Sequence, residues 1–135
     1  MKNGQTHIWL VEDDKDLREL MEDRLHAAEY TQRSFTKAES AINALNNLKD
    51  TDEKPDIIIT DYDTKSNKNG LDVTKKAKEM GIPVIMLSAS AGIKHQAEAA
   101  GATFFEKPYD SQKFMAAIQL ATSQPPLAQD SVRTR

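Results

Sequence analysis

Five side chains stand where apolar runs stop, and their types suit one kind of chemistry. Glu12 and Asp13 follow Ile8-Trp9-Leu10-Val11, Asp61 follows Asp56-Ile57-Ile58-Ile59-Thr60, Ser88 follows Ile82 to Leu87, and Lys107 follows Thr103 to Glu106. Brought together, three carboxylates repel and raise one another's pKa values. A hard divalent cation relieves that repulsion. Mg2+ (or Mn2+) prefers oxygen ligands and takes one or two carboxylates together with phosphate oxygens. A lysine beside it offers a point charge to a phosphoryl oxygen, and a serine hydroxyl offers a hydrogen bond. One of the carboxylates can attack phosphorus and become an aspartyl phosphate. Phosphoryl transfer asks of a protein mainly positioning and charge neutralisation. The residue types alone therefore point to Mg2+-dependent phosphoryl chemistry on a carboxylate.

Taken singly, each residue has a plainer reading. Acids at 12–14 favour the dipole of a helix start, and an aspartate after a strand is a common turn residue. Ser88 would be a loop hydroxyl and Lys107 a solvated cation. Only their convergence makes chemistry of them, and that needs elements able to bring the strand ends together.

The hydrophobic pattern supplies such elements. After the first run, Leu17, Leu20, Met21, Leu25 and Ala28 recur at helical spacing behind Asp14, a candidate N-cap. Tyr30 to Phe35 reads as a polar edge strand. Thr36-Lys37-Ala38-Glu39 fits a capping box, followed by an apolar stripe of Ala38, Ala41, Ile42, Leu45 and Leu48. Leu71 to Met80 reads as a helix ended by Gly81. Ile93, Ala97 and Ala100 mark a short helix stopped by Gly101, and Asp110 or Ser111 caps a last helix carrying Phe114, Ala117, Ile118 and Ala121. The order is βα five times. Continuous apolar strands alternating with helices imply a three-layer α/β/α, doubly wound, five-stranded parallel sheet. Right-handed crossovers then place every strand C-terminus on one edge, where such sheets bind ligands.

Composition narrows the class further. The 135 residues are 39% hydrophobic and 29% charged, enough for one core and too apolar for a disordered chain. Eighteen Lys+Arg against 21 Asp+Glu argue against direct nucleic-acid binding through a basic surface. The absence of cysteine excludes disulfides and thiolate chemistry. Met1 to Gln5 lacks the apolar stretch of a signal peptide, and no apolar run is long enough to span a membrane. A soluble cytoplasmic domain over 1–122 is expected, with 123–135 read as a disordered C-terminal tail because of Pro125-Pro126 and little apolar content. The histidines, His7, His26 and His95, show no ligand spacing and read as surface or satisfied residues. Trp9 is most simply core.

Over residues 6–122 the sequence resembles the receiver domain of two-component response regulators. Four motifs carry the resemblance in order: Leu10-Val11-Glu12-Asp13-Asp14, Ile58-Ile59-Thr60-Asp61, Met86-Leu87-Ser88-Ala89 and Glu106-Lys107-Pro108. The resemblance implies a flavodoxin-like sheet of order 2-1-3-4-5. It implies that Asp61 accepts phosphate from a histidine kinase or a histidine phosphotransfer protein. Asp13 would bind Mg2+ directly, Glu12 would assist, and the Asp63 backbone carbonyl would be a further ligand. Ser88 and Lys107 would each hold a phosphoryl oxygen, and the Lys107-Pro108 bond would be cis. Phe104 stands at the family's switching aromatic. Output would pass to a downstream protein or to a fused domain outside this chain, with phosphorylation-dependent dimerisation as one route. Such a domain is regulatory rather than an enzyme, catalysing only its own phosphorylation and dephosphorylation.

Two departures stand against the pattern. Asp63-Thr64-Lys65-Ser66-Asn67-Lys68-Asn69-Gly70 lacks the family's usual apolar residue and proline, and its glycine comes one residue late. The Ser88 to Lys107 interval is a few residues short. Two alternatives follow. Asp61-Tyr62-Asp63-Thr64 also resembles the DxDxT motif of haloacid-dehalogenase-type phosphatases, although no acidic pair follows Lys107 and Glu12-Asp13 would lack a role. A pseudo-receiver that only binds partners is the other.

Overall fold

Each apolar run becomes a parallel strand in the computed structural model, which describes residues 5–122. The order along the chain is β1 (His7–Val11), α1 (Lys15–Ala27), β2 (Thr31–Phe35), α2 (Ala38–Asn46), β3 (Ile57–Asp61), α3 (Gly70–Glu79), β4 (Val84–Ser88), a 3-10 turn (Ala91–Ile93), α4 (Lys94–Ala99), β5 (Thr103–Glu106) and α5 (Ser111–Thr122). The strands pair in the order β2-β1-β3-β4-β5, parallel throughout, as expected. The expected tail, 123–135, lies outside the described residues.

Side chains alternate across a pleated strand, and here that alternation builds two cores. Trp9, Val11, Ile58, Val84 and Met86 point to one face, where Ala38, Ala41 and Leu45 of α2, Val73 and Ala77 of α3, and Ala97 of α4 cover them. Ile8, Leu10, Ile57, Ile59, Ile85 and Leu87 point to the other, against Met21 and Leu25 of α1 and Phe114 and Ile118 of α5. Strands apolar on both faces can sit only in the middle of such a sandwich. Polar β2 can sit only at its rim.

Local signals set most helix ends. The Asp14 carboxylate accepts the Leu17 N–H and caps α1. Asp110, rather than Ser111, caps α5 by accepting from Gln112 and Lys113. Gly81 and Gly101 follow α3 and α4 with φ of 73° and 105°, where an L side chain would be strained. The capping box at 36–39 does not form. The N-cap of α2 is Lys37, which makes no side-chain cap bond. No described helix is long and apolar enough to cross a membrane.

Candidate functional site

The sheet's own hydrogen bonds run one residue past β1, β3 and β5 and thereby fix the backbone at Glu12, just after Asp61, and at Lys107. Glu12 N–H donates to the Phe35 carbonyl (3.0 Å), Tyr62 N–H to Leu87 (2.9 Å) and Lys107 N–H to Ser88 (2.8 Å). The neighbours of strand register thus become the neighbours of the site. Glu12, Asp13 and Asp61 each bring a carboxylate oxygen into a group spanning no more than 4.8 Å. The Lys107 Nζ lies 2.7 Å from Asp61 Oδ1 and 3.7 Å from Glu12 Oε1. Ser88 is buried beside them, and its Oγ accepts the Ser90 N–H at 3.0 Å. Among the described residues no acceptor engages its own O–H. A cavity of about 490 Å3 opens over the group, lined by Asp13, Asp61, Asp63, Ser88 and Lys107 among others.

Burial dominates the electrostatics. It pushes the Glu12 carboxyl above its ordinary range. The hydrogen bond from Asp14 N–H opposes that rise, and the nearby Asp61 charge adds to it. Burial likewise raises Asp61, against the hydrogen bond and charge of Lys107, while Asp13 and Asp63 add to the rise. Lys107 is pulled down by burial but more than restored by Asp61 and Glu12, so its ammonium is held above its usual value. The carboxylate group of Glu12, Asp13 and Asp61 therefore carries more negative charge than Lys107 can balance. Hard oxygen donors, close-set and short of compensating charge, are a donor set that fits Mg2+. Ionised, Glu12, Asp13, Asp61 and Lys107 sum to a charge of about −2, equal and opposite to that of one such cation.

Other expected residues fall as follows. Asp63 lies in the loop after β3; its carboxylate is exposed and accepts the Lys65 N–H (2.9 Å), with Lys65 at a φ of 55°. Phe104 is half-buried and packs on the core beneath α2, α3 and α4. The Lys107-Pro108 peptide is cis. Trp9 is fully buried, and its Nε1 is the buried side-chain N or O atom left without a partner among the described residues. His7 is buried and bonds Thr31 Oγ1 through Nδ1, whereas His26 and His95 are exposed.

The departures in sequence prove to be built features. The late glycine, Gly70, is the first residue of α3, and its N–H donates to the Tyr62 carbonyl at 2.8 Å. A Cβ there would stand 2.7 Å from the Asp61 carbonyl oxygen and 3.0 Å from the Tyr62 Cα. Asn69 caps α3 in a reciprocal box with Asp72. That Asn-x-x-Asp spacing could have been found in the sequence. Thr64, buried in the loop after β3, had no such signal. Its Oγ1 accepts the N–H of Ala38, which lies 26 positions earlier. Arg18 adds a contact from α1, donating to the Glu12 carbonyl at 3.2 Å.

Comparison with known proteins agrees with this geometry. The family described as the response regulator receiver domain matches residues 8–119. The DNA-binding transcriptional regulator NtrC of Proteus hauseri is 28% identical over 120 residues, covering 85% of this chain and 24% of that protein. The chain thus spans about a quarter of that relative's length. Among solved structures, a response regulator receiver protein from Sinorhizobium medicae superposes with a TM-score of 0.79 at 20% identity, covering 90% of this chain and 98% of that one. The response regulator TrrA of Thermotoga maritima, solved in complex with Mg2+-BeF, gives 0.73 at 19% identity, covering 87% and 99%.

Proposed function

The chain belongs to the response regulator receiver domain family, and from that premise we propose that it is a phosphoacceptor switch acting through Asp61. On this reading the receiver domain spans 1–122 and works in the cytoplasm. The observation that carries the reading is the convergence of Glu12, Asp13 and Asp61 with Lys107 at one sheet edge.

Asp13 and Asp61, with the Asp63 carbonyl and the assistance of Glu12, would hold Mg2+, which supplies charge neutralisation for the transferring phosphoryl group. An Asp61 carboxylate oxygen attacks the phosphorus of a phosphohistidine. The P–N bond breaks, and its electron pair leaves on the imidazole nitrogen. Lys107 pairs with one phosphoryl oxygen, and Ser88 donates its unengaged O–H to another. Hydrolysis later returns the carboxylate, with water attacking phosphorus and the P–O bond to Asp61 breaking. The donor is a histidine kinase or phosphotransfer protein. The apolar groove beside Lys107, where Leu17 and Leu20 are 46% and 54% exposed and face Pro108 and Tyr109, would seat it. The added charge draws Ser88 and Lys107 inward and turns Phe104, and the altered surface meets a downstream protein, a fused domain or a second copy.

Intact mass after incubation with Mg2+ and acetyl phosphate tests this. One phosphoryl adduct is expected, lost with EDTA and absent in Asp61→Asn. The same adduct in that variant would defeat the assignment.

A further inference from the structure

We propose that Thr64 is a positioning residue for the phosphoacceptor site, fastening the loop after β3 to the first turn of α2. This inference rests on the reading of Asp61 and its neighbours as a Mg2+-dependent phosphoacceptor centre.

The argument begins with an orphan donor. The first N–H groups of a helix have no partner within it, and Lys37, the N-cap of α2, supplies none from its side chain. The Ala38 N–H finds Thr64 Oγ1 instead, at 3.1 Å. Both residues are buried, so neither can exchange this bond for water without cost.

The hydroxyls then set a direction. Ser66 Oγ donates its hydrogen to the Lys68 carbonyl at 2.9 Å. Its contact with Thr64 Oγ1 at 3.2 Å must therefore be one in which Thr64 donates and Ser66 accepts. The result is one chain of bonds: Ala38 N–H to Thr64, Thr64 O–H to Ser66, Ser66 O–H to the Lys68 backbone. It ties the start of α2 to the far end of the loop, next to the Asn69 cap of α3.

Asp63 sits inside this frame. On one side Tyr62 is held in both directions, its N–H on Leu87 and its carbonyl under Gly70 N–H. On the other side is Thr64. The Asp63 peptide, whose carbonyl is the expected backbone ligand, is thus bracketed by two anchored neighbours. The rest of the loop is exposed at Lys65, Asn67 and Lys68, and Lys65, at positive φ, is held by its own N–H on Asp63 Oδ1. The hydroxyl performs by hydrogen bonding what an apolar side chain followed by proline would do by packing and stiffness.

Mg2+ titration by calorimetry on the whole chain, with thermal unfolding of each variant, tests the proposal. Thr64→Val keeps the shape and removes the hydroxyl; it is expected to weaken Mg2+ binding by about tenfold, while Thr64→Ser, which restores the hydroxyl, binds as the wild type. Wild-type affinity in folded Thr64→Val would overturn this inference and leave the site reading intact. No Mg2+ binding by the wild type would defeat both. Because Thr64→Val could fail to fold, a second measurement uses the wild type alone. The Ala38 amide resonance is expected to move as Mg2+ saturates the site, and an unmoved Ala38 amide would also overturn the proposal.

Discussion

Asp61 and Lys107 are already bonded before any phosphoryl group arrives. On the proposed reading, phosphorylation would replace one charge-assisted bond by another rather than recruit a free lysine, so the electrostatic change would fall on the carboxylates. Glu12 and Asp61 have pKa values raised in the folded chain. A raised carboxyl contributes stability fully below its unfolded pKa and loses it as pH rises through the folded value. Without metal, the site therefore weakens the fold as pH climbs through and above the ordinary carboxylate range. A bound divalent cation favours the ionised forms and reverses that trend. The rise in Tm on adding Mg2+ is expected to be larger at about pH 7.5 than at about pH 5, and smaller in Asp61→Asn, as differential scanning fluorimetry would report. An equal rise at both pH values would contradict the charge argument.

At the scale of elements, the short connections carry the most consequence. Gly70 starts α3 directly against the Asp61 backbone, and no flexible side-chain tip stands there to yield. Gly70→Ala is expected to cost about 1–3 kcal/mol in denaturant unfolding and to lower Mg2+ affinity as Asp61 is displaced. Asn69→Ala removes the cap of the same helix and should cost about 1 kcal/mol, with a smaller effect on the site. The same connections divide what the sequence announces from what it hides. Asp14, Gly81 and Asp110 act on residues a few positions away, so their patterns are legible in the chain. The gathering of the five candidate residues is legible too, because each closes an apolar run and parallel pairing brings such ends together. Thr36-Lys37-Ala38-Glu39 misleads because a capping box is a local pattern, and it loses to a partner brought in by tertiary folding. No window around Thr64 contains Ala38, so only the assembled loop reveals the bond. The short 3-10 turn before α4 is hidden for a similar reason, since the spacing of Ile93, Ala97 and Ala100 does not tell a 3-10 turn from the start of a helix.

For the whole molecule, the sheet separates two cores while sharing every strand between them. Trp9 reports from the face covered by α2, α3 and α4, and Phe114 fills the face covered by α1 and α5. Phe114→Ala is expected to cost about 3–5 kcal/mol. If the two layers unfold as one unit, the loss will shift the Trp9 fluorescence midpoint and the far-ultraviolet circular dichroism midpoint in urea by the same amount. Separate midpoints would show the layers parting.

The polar rim strand has a bearing on colloidal behaviour that is independent of phosphate. An open sheet edge is a template on which another chain can dock strand to strand. Here β2 presents Thr31, Gln32, Arg33 and Ser34 beside an interior of isoleucine, leucine and valine, and the exposed Arg33 spreads its guanidinium over the rings of Trp9 and Phe35 at 5.3 and 4.8 Å. That cation fastens the rim inward and leaves charge along the outer face. Replacing Gln32 and Arg33 together by valine should give concentration-dependent light scattering where the parent solution stays clear, turning a guarded border into an adhesive one.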